Sequence, residues 1–588
     1  MADCIFRIGG EGGEGVISTG ELLTLTLARS GYEIYTFRTY PAEIKGGHAN
    51  YQVRASDRLL LSQGAAVDVL VAFNEEAWRM HHKDVRPGGA LIYDADSFTP
   101  PATDSAVMYG FPLTSLATEK VGVKLTKNIV CLGALAGLFD IQVEKFEELL
   151  KERFARKGEA VVQKNIQALR VGFEYVKGQQ KRDSIRMGPG PRQVKELVLS
   201  GNESLALGAI ASGLKLYAGY PITPATDIME FLAKELPKIG GYVVQTEDEI
   251  SAIGTVLGAS FAGTKAMTAT SGPGFSLMIE MLGLAVMAEI PAVIVDVQRV
   301  GPSTGMPTKT EQADLYLAVY GGHGSCPRVV MALSSVEDCF YSIMRAFNIA
   351  EQFQTPVVVL SDQYLGHRKA TVPKPDINKV AVINRVMPGP EALGPGYKRY
   401  RLDGKDGVSP MAIPGTAEGY YVAEGLEHTE IGYPAASNHD NHLQMTEKRY
   451  KKFHAVEAMS NDLVRQYGVE KPEIGIIGWG SSEGVIREAV QLGIEKGYSV
   501  GALHPKILYP LPLARLAEFI DGAKAIIIPE LNFTGQFATL LRKRFVRDFI
   551  QLNKTIGLPF TPKEILDKVE EVAKNVRDQR PGTVAARV

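Results

Sequence analysis

Short apolar segments alternate with amphipathic segments along most of the chain. Near the start, apolar runs at 4–9, 67–72 and 90–94 predict strands, and the pattern of 16–29 predicts a helix. The same alternation returns later, where the predicted strands are 243–245, 266–270, 292–297, 328–331, 356–360, 474–478, 499–503 and 525–529. Strands that alternate with helices in this way predict an α/β fold with largely parallel sheets.

Breaks in this pattern predict three α/β domains. Gly188-Pro-Gly-Pro191 lies in the clearest linker of the chain, and Gly and Pro of this density interrupt both helices and strands. The predicted divisions are a first domain at 1–181, a linker at 182–193, a second domain at 194–378, a connecting segment at 379–470 and a third domain with the tail at 471–588. The connecting segment has little periodicity before a helix predicted at 447–467.

Composition excludes several classes of protein. The 588 residues are 45% hydrophobic and 22% charged, which is typical of a soluble globular protein. A net charge of −2 argues against a nucleic-acid-binding protein. The longest apolar run, 278–297, contains Glu280, Glu289 and Pro291, so we do not expect it to span a membrane. The N-terminus lacks the layout of a signal peptide, and we expect a cytoplasmic protein.

The cysteines argue against a metal cluster in this chain. The four cysteines, Cys4, Cys131, Cys326 and Cys339, have no CxxC spacing. An iron–sulfur cluster usually needs four closely organised thiolates. We therefore expect that this chain alone holds no such cluster.

A cluster of candidate binding residues follows the apolar residues at 211–216. Thr223 occupies an N-cap position and Pro224 the first helical position, where its missing N–H costs nothing. A helix start of this kind presents backbone N–H groups to an anion such as a carboxylate. An ordinary capped helix explains the same residues, because such caps are common.

Two further motifs lie at predicted strand ends. Glu249 begins a helix rich in small residues, in which Gly254 and Gly258 share one face and permit close approach of a backbone or a ligand. Thr270-Ser-Gly-Pro-Gly274 is a tight turn between a strand and a helix. Arg299 follows the strand 292–297, and ligands of open α/β sheets bind beyond such carboxyl ends.

The first domain contains a glycine-rich turn and a local set of basic residues. Gly10 to Gly15 matches G-x-G-x-x-G, a fingerprint that is weak when it stands alone. The second strand ends at Arg38 rather than at the acidic residue that a dinucleotide site requires. Arg38, Lys45 and Arg54 gather positive charge beside two glycines, which suits either phosphate binding or a solvated hairpin.

Two further groups give only weak evidence for a metal site. His81 and His82 are adjacent and point in different directions on a helix. Glu427, His428 and Glu430 lack an evident fourth ligand. We therefore predict no metal site from these residues.

Four motifs together resemble a known family. They are Tyr220-Pro-Ile-Thr-Pro224, Glu249-x-x-Ala252-x-Gly254, Thr270-Ser-Gly-Pro-Gly274 and Gln298-Arg-x-Gly-Pro-Ser-Thr-Gly305. In this order they resemble the α subunit of 2-oxoacid:ferredoxin oxidoreductases, of the type in which a γ domain is fused in front of α. The resemblance covers nearly the whole chain. It implies a γ-type domain, a thiamine pyrimidine-binding-type domain and a transketolase C-terminal-like domain, the last mainly for assembly.

The resemblance also implies roles for individual residues. Glu249 matches the glutamate that hydrogen-bonds the aminopyrimidine of thiamine diphosphate and activates the cofactor. Arg299 would bind the substrate carboxylate with help from Thr223. The remaining residues implied at the cofactor are Tyr220, Pro221, Ile222, Ser271 and Gly272.

Part of the cofactor site expected in the family is missing from this sequence. The family binds the diphosphate through Mg²⁺, between a Gly-Asp-Gly start and an Asn-Asn end, and Asp403-Gly-Lys-Asp-Gly407 has the wrong order. The resemblance therefore implies a β subunit that completes the site and carries a [4Fe-4S] cluster. It implies an (αβ)₂ heterotetramer that reduces ferredoxin, with no metal held by this chain alone.

The implied reaction is CoA-dependent oxidative decarboxylation of a 2-oxoacid, or its reductive reverse, as in a reductive TCA cycle. The fused layout favours 2-oxoglutarate, which gives succinyl-CoA, over pyruvate or branched-chain oxoacids. Arg38, Lys45 and Arg54 are the candidate CoA residues. A dinucleotide-dependent oxidoreductase that uses the Gly10 turn and a non-catalytic scaffold subunit remain the alternatives from other classes.

Overall fold

The chain folds into two compact units. The computed structural model describes residues 3–41, 46–103, 105–192 and 196–578. The first unit comprises Met1–Ser200 and His367–Lys374, and the second comprises Gly201–Gly366 and Pro375–Val588. The second unit therefore contains most of the residues of the predicted second and third domains.

The first unit is built on an eight-stranded sheet with the order β6-β5-β4-β1-β3-β2-β14-β7. Its strands are β1 Asp3–Glu11, β2 Glu33–Thr39, β3 His48–Ser56, β4 Val67–Ala72, β5 Val85–Asp94, β6 Ala106–Phe111, β7 Glu196–Ser200 and β14 Lys369–Pro373. Its helices are α1 Val16–Arg29, α2 Glu75–His81, α3 Leu113–Ser115, α4 Lys127–Phe139, α5 Val143–Phe154 and α6 Glu159–Gly178.

This sheet differs from the largely parallel sheet predicted from the sequence. β3 runs antiparallel to both β1 and β2, whereas β1, β4, β5 and β6 are parallel neighbours. β7 and β14 were both expected in the second domain, but they pair with each other in the first sheet, with Lys369 opposite Ser200. The chain thus returns to the first unit for a single strand, which local patterning does not indicate.

The second unit contains two sheets, with the orders β18-β12-β13-β11-β10-β8-β9 and β15-β17-β16-β19-β20. The strands are β8 Leu216–Gly219, β9 Tyr242–Gln245, β10 Ala266–Thr270, β11 Ala292–Gln298, β12 Val329–Ala332, β13 Pro356–Asp362, β15 Val464–Gly468, β16 Ile474–Ile477, β17 Val500–Pro505, β18 Ile507–Tyr509, β19 Ala525–Glu530 and β20 Ile550–Asn553. The helices are α7 Gly201–Ala211, α8 Thr226–Glu235, α9 Glu249–Phe261, α10 Gly272–Met287, α11 Leu315–Tyr320, α12 Val336–Phe353, α13 Gln363–His367, α14 His439–Asp462, α15 Glu483–Glu495, α16 Leu513–Gly522, α17 Gln536–Arg542 and α18 Pro562–Asp578.

One apolar core joins the two sheets of this unit. Ile294 of β11 and Met278 of α10 belong to the same buried cluster as Trp479 and Phe537, and all four side chains are fully buried. Burial of large apolar side chains is the main favourable term in folding. The shared core explains why the regions predicted as separate domains form one unit.

The predicted helix 447–467 is displaced in the structure. It begins at His439, where the Asn438 side chain accepts a hydrogen bond of 3.0 Å from the Asn441 N–H as an N-cap. It ends at Asp462 because Val464–Gly468 pairs antiparallel with β17. None of the helices in the described ranges has the length and apolar character needed to cross a membrane.

Candidate active site

Three of the predicted motifs lie together at one edge of the seven-stranded sheet. β8, β10 and β11 are adjacent and parallel, so the loops that follow them leave from the same edge. These loops carry Thr223, Ser271 and Arg299. The three loops therefore lie beyond the carboxyl ends of the strands, where ligands of open α/β sheets bind.

Glu249 lies at the first position of α9 and is only 5% exposed. The preceding Asp248 caps the helix, since its side chain accepts a 2.7 Å hydrogen bond from the Ser251 N–H. The Glu249 carboxylate packs against Gly274, where an added Cβ would overlap both Glu249 Oε1 and Thr270 Oγ1. Only glycine at 274 leaves room for the carboxylate to take this position.

The turn of Ser271 to Gly274 contains one buried hydroxyl for which the described part of the chain supplies no partner. The Ser271 hydroxyl is fully buried and finds no hydrogen-bond partner in the described part of the chain. A buried hydroxyl of this kind costs free energy unless a ligand or water satisfies it. The turn therefore has the character of a binding surface for a polar ligand.

Thr223 is not the N-cap that the sequence predicted. The N–H groups of Ala225 and Thr226 both donate to the Ile222 carbonyl, at 2.8 and 3.1 Å, and close a turn before the helix. α8 begins only at Thr226, and its cap residue Ala225 makes no side-chain capping bond. The predicted N-cap is wrong because this turn delays the start of the helix.

Thr223 and Arg299 are nevertheless brought together. Arg299 Nη1 donates a 2.7 Å hydrogen bond to the Thr223 carbonyl, and the residue is only 7% exposed. Burial is the main cause that lowers the pKa of the Arg299 guanidinium. A buried guanidinium with donors left over is well suited to a carboxylate ligand.

The structure adds two acidic residues that sequence reasoning missed. Asp296 lies near the end of β11, is fully buried, and neither of its oxygens accepts a hydrogen bond from the described residues. Asp314 lies beside it, with its carboxylate against Gly272, where an added Cβ would stand 2.9 Å from Oδ2. The signal that could have revealed Asp296 is a charged residue within an otherwise apolar strand.

Burial raises the pKa values of these two acids. Burial raises the pKa of Asp296 well above its ordinary value, and Asp314 adds to the shift. Burial raises the pKa of Asp314 to about 6, against the lowering effects of Asp296 and Arg299. Two carboxyl groups this close do not both ionise readily, so the pair tends to keep a proton.

The Tyr220-Pro-Ile stretch directly follows β8 at the same sheet edge. Tyr220 is 42% exposed, and Pro221 and Ile222 are half-buried. The stretch thus presents one aromatic ring and two apolar side chains outward from the sheet edge.

Arg38 and Arg54, predicted as part of one basic set, point away from each other. In the antiparallel β2–β3 pair, Arg38 lies opposite Tyr51 and Arg54 lies opposite Tyr35, which places the two side chains on opposite faces. Arg54 also binds the Asp3 carboxylate through two hydrogen bonds of 2.9 and 2.8 Å. Lys45, the third member, lies outside the described residues.

The glycine-rich turn is filled by an acidic side chain. Glu14 accepts hydrogen bonds of 2.8 Å from the Glu11 N–H and from Asn74 Nδ2, and pairs with Lys127 at 3.1 Å. A Cβ added at Gly10 would stand 2.8 Å from Glu14 Oε2. A carboxylate in this turn repels a pyrophosphate, which argues against the dinucleotide alternative.

The weak metal candidates have protein partners. Glu427 pairs with Arg449 at 2.9 Å and Glu430 with Lys398 at 2.6 Å. Within the described ranges, no group of three or more His, Cys, Asp or Glu residues is placed to hold a metal ion.

Comparison with family models gives three matches that together span most of the chain. Residues 5–175 match "Pyruvate ferredoxin/flavodoxin oxidoreductase" and residues 207–455 match "Pyruvate flavodoxin/ferredoxin oxidoreductase, thiamine diP-bdg". Residues 472–554 match "Pyruvate:ferredoxin oxidoreductase core domain II".

Curated relatives match over nearly the full length. The 2-oxoacid:ferredoxin oxidoreductase 2 subunit alpha of Aeropyrum pernix is 32% identical over 97% of this chain and 98% of its own. The 2-oxoglutarate oxidoreductase subunit KorA of Mycobacterium tuberculosis is 33% identical over 96% of this chain and 91% of its own.

A solved structure is similar throughout. It is the 2-oxoglutarate:ferredoxin oxidoreductase from Magnetococcus marinus with 2-oxoglutarate, coenzyme A and succinyl-CoA bound. The two chains are 43% identical with a TM-score of 0.92, and the match covers 97% of this chain and 99% of the other.

Proposed function

The chain belongs to the 2-oxoacid:ferredoxin oxidoreductase family as an alpha-type subunit, and we propose that it acts in a 2-oxoglutarate:ferredoxin oxidoreductase. The observation that carries the proposal is the convergence of a buried Glu249, the Ser271 turn and Arg299 at one sheet edge. The choice of 2-oxoglutarate is supported by the names of the Mycobacterium tuberculosis and Magnetococcus marinus relatives.

The proposed reaction is CoA-dependent oxidative decarboxylation. 2-Oxoglutarate and CoA give succinyl-CoA and CO₂, and two electrons pass to ferredoxin. The same residues can serve the reductive direction, because a carboxylate must be held in both.

The chain's residues fit thiamine diphosphate, as its family model implies. Glu249 would hydrogen-bond the aminopyrimidine, while Gly272 and the Ser271 hydroxyl would border the ring with the Tyr220–Ile222 stretch, a role supported by the burial of Glu249 and the unpartnered Ser271 hydroxyl. When bound, this cofactor supplies a carbanion that attacks the oxo carbon. The part of this chain is to hold the ring and to hold or release a proton at the Glu249 carboxylate.

Arg299 and Thr223 serve the substrate. The Arg299 guanidinium keeps donors beyond its bond to the Thr223 carbonyl and would bind the 2-oxoacid carboxylate. The Thr223 hydroxyl stands in the same turn and would add a donor. Burial of the guanidinium strengthens its attraction for an anion.

A second subunit completes the enzyme in this proposal. The β subunit would bind the diphosphate through Mg²⁺, carry a [4Fe-4S] cluster, pass electrons to ferredoxin and assemble as (αβ)₂ in the cytoplasm. The exposed apolar face of α9 and α10 next to Glu249 supports a contact with a second subunit at this place. Ile250 and Leu277 are about half exposed, at 49% and 50%, and a Cβ at Gly258 would meet no described atom within 4 Å.

CoA has the weakest assignment. Arg38 and Lys45 stay candidates from the sequence, whereas Arg54 is engaged by Asp3. The Magnetococcus marinus structure has CoA bound, which supports CoA as the co-substrate.

The test is purification of this chain with its co-expressed partner, followed by assays with a panel of 2-oxoacids. We expect CoA-dependent reduction of ferredoxin with 2-oxoglutarate as the preferred substrate. Preference for pyruvate or a branched-chain oxoacid would show that the enzyme has another substrate specificity within the same family. NAD(P)H turnover without ferredoxin, or full activity in a Glu249→Gln complex, would favour the other classes.

A further inference from the structure

The segment Gln312–Tyr316, which contains Asp314, is held by a side chain of the C-terminal region. Gln536 Nε2 donates a 2.7 Å hydrogen bond to the Ala313 carbonyl. The Tyr316 N–H donates a 3.0 Å hydrogen bond to Gln536 Oε1. One amide group thus bridges the backbone on both sides of Asp314.

The start of the same segment is fixed by neighbouring residues. The Gln312 N–H donates to the Leu531 carbonyl at 2.7 Å, and Asn532 Nδ2 donates to the Gln312 carbonyl at 3.0 Å. Asn532 is itself oriented by the fully buried Glu530, whose Oε2 accepts a 2.9 Å bond from the same Nδ2. The contacts that Asn532 makes with Gln312 are therefore rigid, because the Asn532 and Glu530 side chains are themselves hydrogen-bonded and buried.

Asp314 connects this segment with the candidate active site. Its N–H donates to Gln298 Oε1 at 3.1 Å, and its carboxylate packs against Gly272 at the start of α10. It also lies close enough to Asp296 and Arg299 to act on their titration. Displacement of Asp314 would therefore change the electrostatic environment of Arg299, the candidate carboxylate-binding residue.

The charges facing Asp314 come from three places. Asp296 belongs to β11, Arg299 follows the same strand, and Glu311 precedes Asp314 in its own segment. Glu311 is engaged by the Thr555 hydroxyl. When one of the two acids is ionised, the cluster of Arg299, Asp296 and Asp314 has no net charge. When both acids are protonated, the cluster carries one positive charge. An incoming carboxylate is attracted more strongly in the second state.

We propose that Gln536 is a positioning residue, which holds Asp314 beside Asp296 so that the protonation of this pair sets how strongly Arg299 attracts the oxoacid carboxylate. The inference rests on the proposed function, since it takes Arg299 as the carboxylate site. It assigns the C-terminal region a part in substrate binding, beyond the assembly role that the family resemblance implies.

The test is the pH profile of kcat/KM for 2-oxoglutarate, measured on the assembled complex with saturating CoA and ferredoxin. kcat/KM should fall as the pH rises through the titration of the pair, because deprotonation cancels the charge of Arg299. In Gln536→Ala the released Asp314 becomes more hydrated, which lowers its pKa. The falling limb should therefore move to lower pH by about half a unit or more, a shift that a purely structural loss would not produce.

Gln466→Ala is the matched control. Gln466 also donates one side-chain hydrogen bond, to the Glu470 carbonyl at 2.7 Å, and accepts one, from Arg515 at 3.0 Å. It lies in β15 and none of its hydrogen bonds reaches the Gln312–Tyr316 segment. This variant should keep the wild-type profile, and thermal unfolding of each complex reports whether stability has changed.

Asp314→Asn keeps the test decisive if Gln536→Ala does not fold. It retains the shape and removes the acid whose pKa lies at about 6, so the part of the falling limb due to Asp314 should disappear and only the titration of Asp296 should remain. An unchanged limb in Asp314→Asn, an unshifted limb in a folded Gln536→Ala complex, or an equal shift in Gln466→Ala would each overturn the inference. A wild-type complex without any 2-oxoglutarate turnover would instead remove the proposed function, and the inference with it.

Discussion

The carboxylate of Glu249 occupies the space that a side chain at position 274 would need. A Cβ added at Gly274 would overlap Glu249 Oε1, and it would also overlap Thr270 Oγ1. Two motifs that lie apart in the sequence therefore form one surface, in which the glycine is required by the glutamate. This relationship makes both residues testable.

Glu249→Gln should abolish turnover while the protein stays folded. Glutamine keeps the size of the side chain but can no longer exchange the proton, a contribution of about 100-fold or more to general acid–base catalysis. Steady-state assays of the complex with 2-oxoglutarate measure the loss. Glu247→Gln is the matched control, because Glu247 is exposed in the same acidic run and should tolerate the change. Turnover of Glu249→Gln within a factor of two of wild type would remove Glu249 from the mechanism.

Gly274→Ala should lower both stability and activity. The added methyl group would force the Glu249 carboxylate or the Thr270 hydroxyl to move, and overpacking of this kind costs about 1–3 kcal/mol. Thermal unfolding and the 2-oxoglutarate assay measure the two effects.

Gly283→Ala provides the control within the same helix. Gly283 also lies in α10, but a Cβ there would meet no atom of the described chain within 4 Å. Alanine at this position should therefore be neutral or add up to about 1 kcal/mol, the difference in helix propensity. Equal losses in both variants would contradict the explanation based on Glu249.

Arg299→Lys should raise the KM for the oxoacid about tenfold, since a point ammonium replaces a planar fork with several donors. The hydrogen bond of Arg299 to the Thr223 carbonyl would also be lost or lengthened. KM and kcat for 2-oxoglutarate measure the effect, which should fall mainly on KM. A fall in kcat with an unchanged KM would place Arg299 elsewhere in the mechanism.

The motif loops could be predicted from the sequence because their signals are local. Glu249 begins a helix, and the turn at Ser271 follows a strand, as the pattern indicated. Thr223 was misplaced because the turn closed by the Ile222 carbonyl precedes the helix, and a Pro–Ala–Thr sequence gives no sign of it.

Contacts between segments that are far apart in the chain could not be predicted from the sequence in this way. The return of Lys369–Pro373 to the first sheet depends on a partner strand far away in the chain. Asp314 is likewise placed beside Asp296 by Gln536, a residue of another predicted domain. The hydrophobic pattern of either segment alone contains no information on such neighbours.

A buried ion cluster in the second unit holds Glu289 between two lysines. The Glu289 carboxylate accepts bonds of 2.6 Å from Lys448, and it pairs with Lys452 at 2.6 Å, with all three side chains nearly inaccessible to solvent. The two ammonium groups hold the pKa of Glu289 well below its ordinary value, against the effect of burial. Burial lowers the pKa of Lys452 to about 7, although Glu289 opposes the shift.

Glu289→Gln should therefore destabilise the protein by about 3–5 kcal/mol, the usual cost of leaving a buried charge without its partner. The sign of the pH dependence follows from the lysines. Without Glu289 the pKa values of Lys448 and Lys452 fall further below the ordinary value in the folded state. The unfolded state therefore binds more protons than the folded state between the lowered pKa values and the ordinary one. The deficit of the variant should shrink with rising pH wherever the folded variant has lost a lysine proton that the folded wild type still holds, a range that for Lys452 ends at about 7, as chemical unfolding at several pH values would reveal. Glu570→Gln breaks the more exposed pair of Lys496 and Glu570 and should change stability little, because water screens the pair. A Glu289→Gln deficit as small as that control, or one that grows with pH, would contradict a charged state of this cluster.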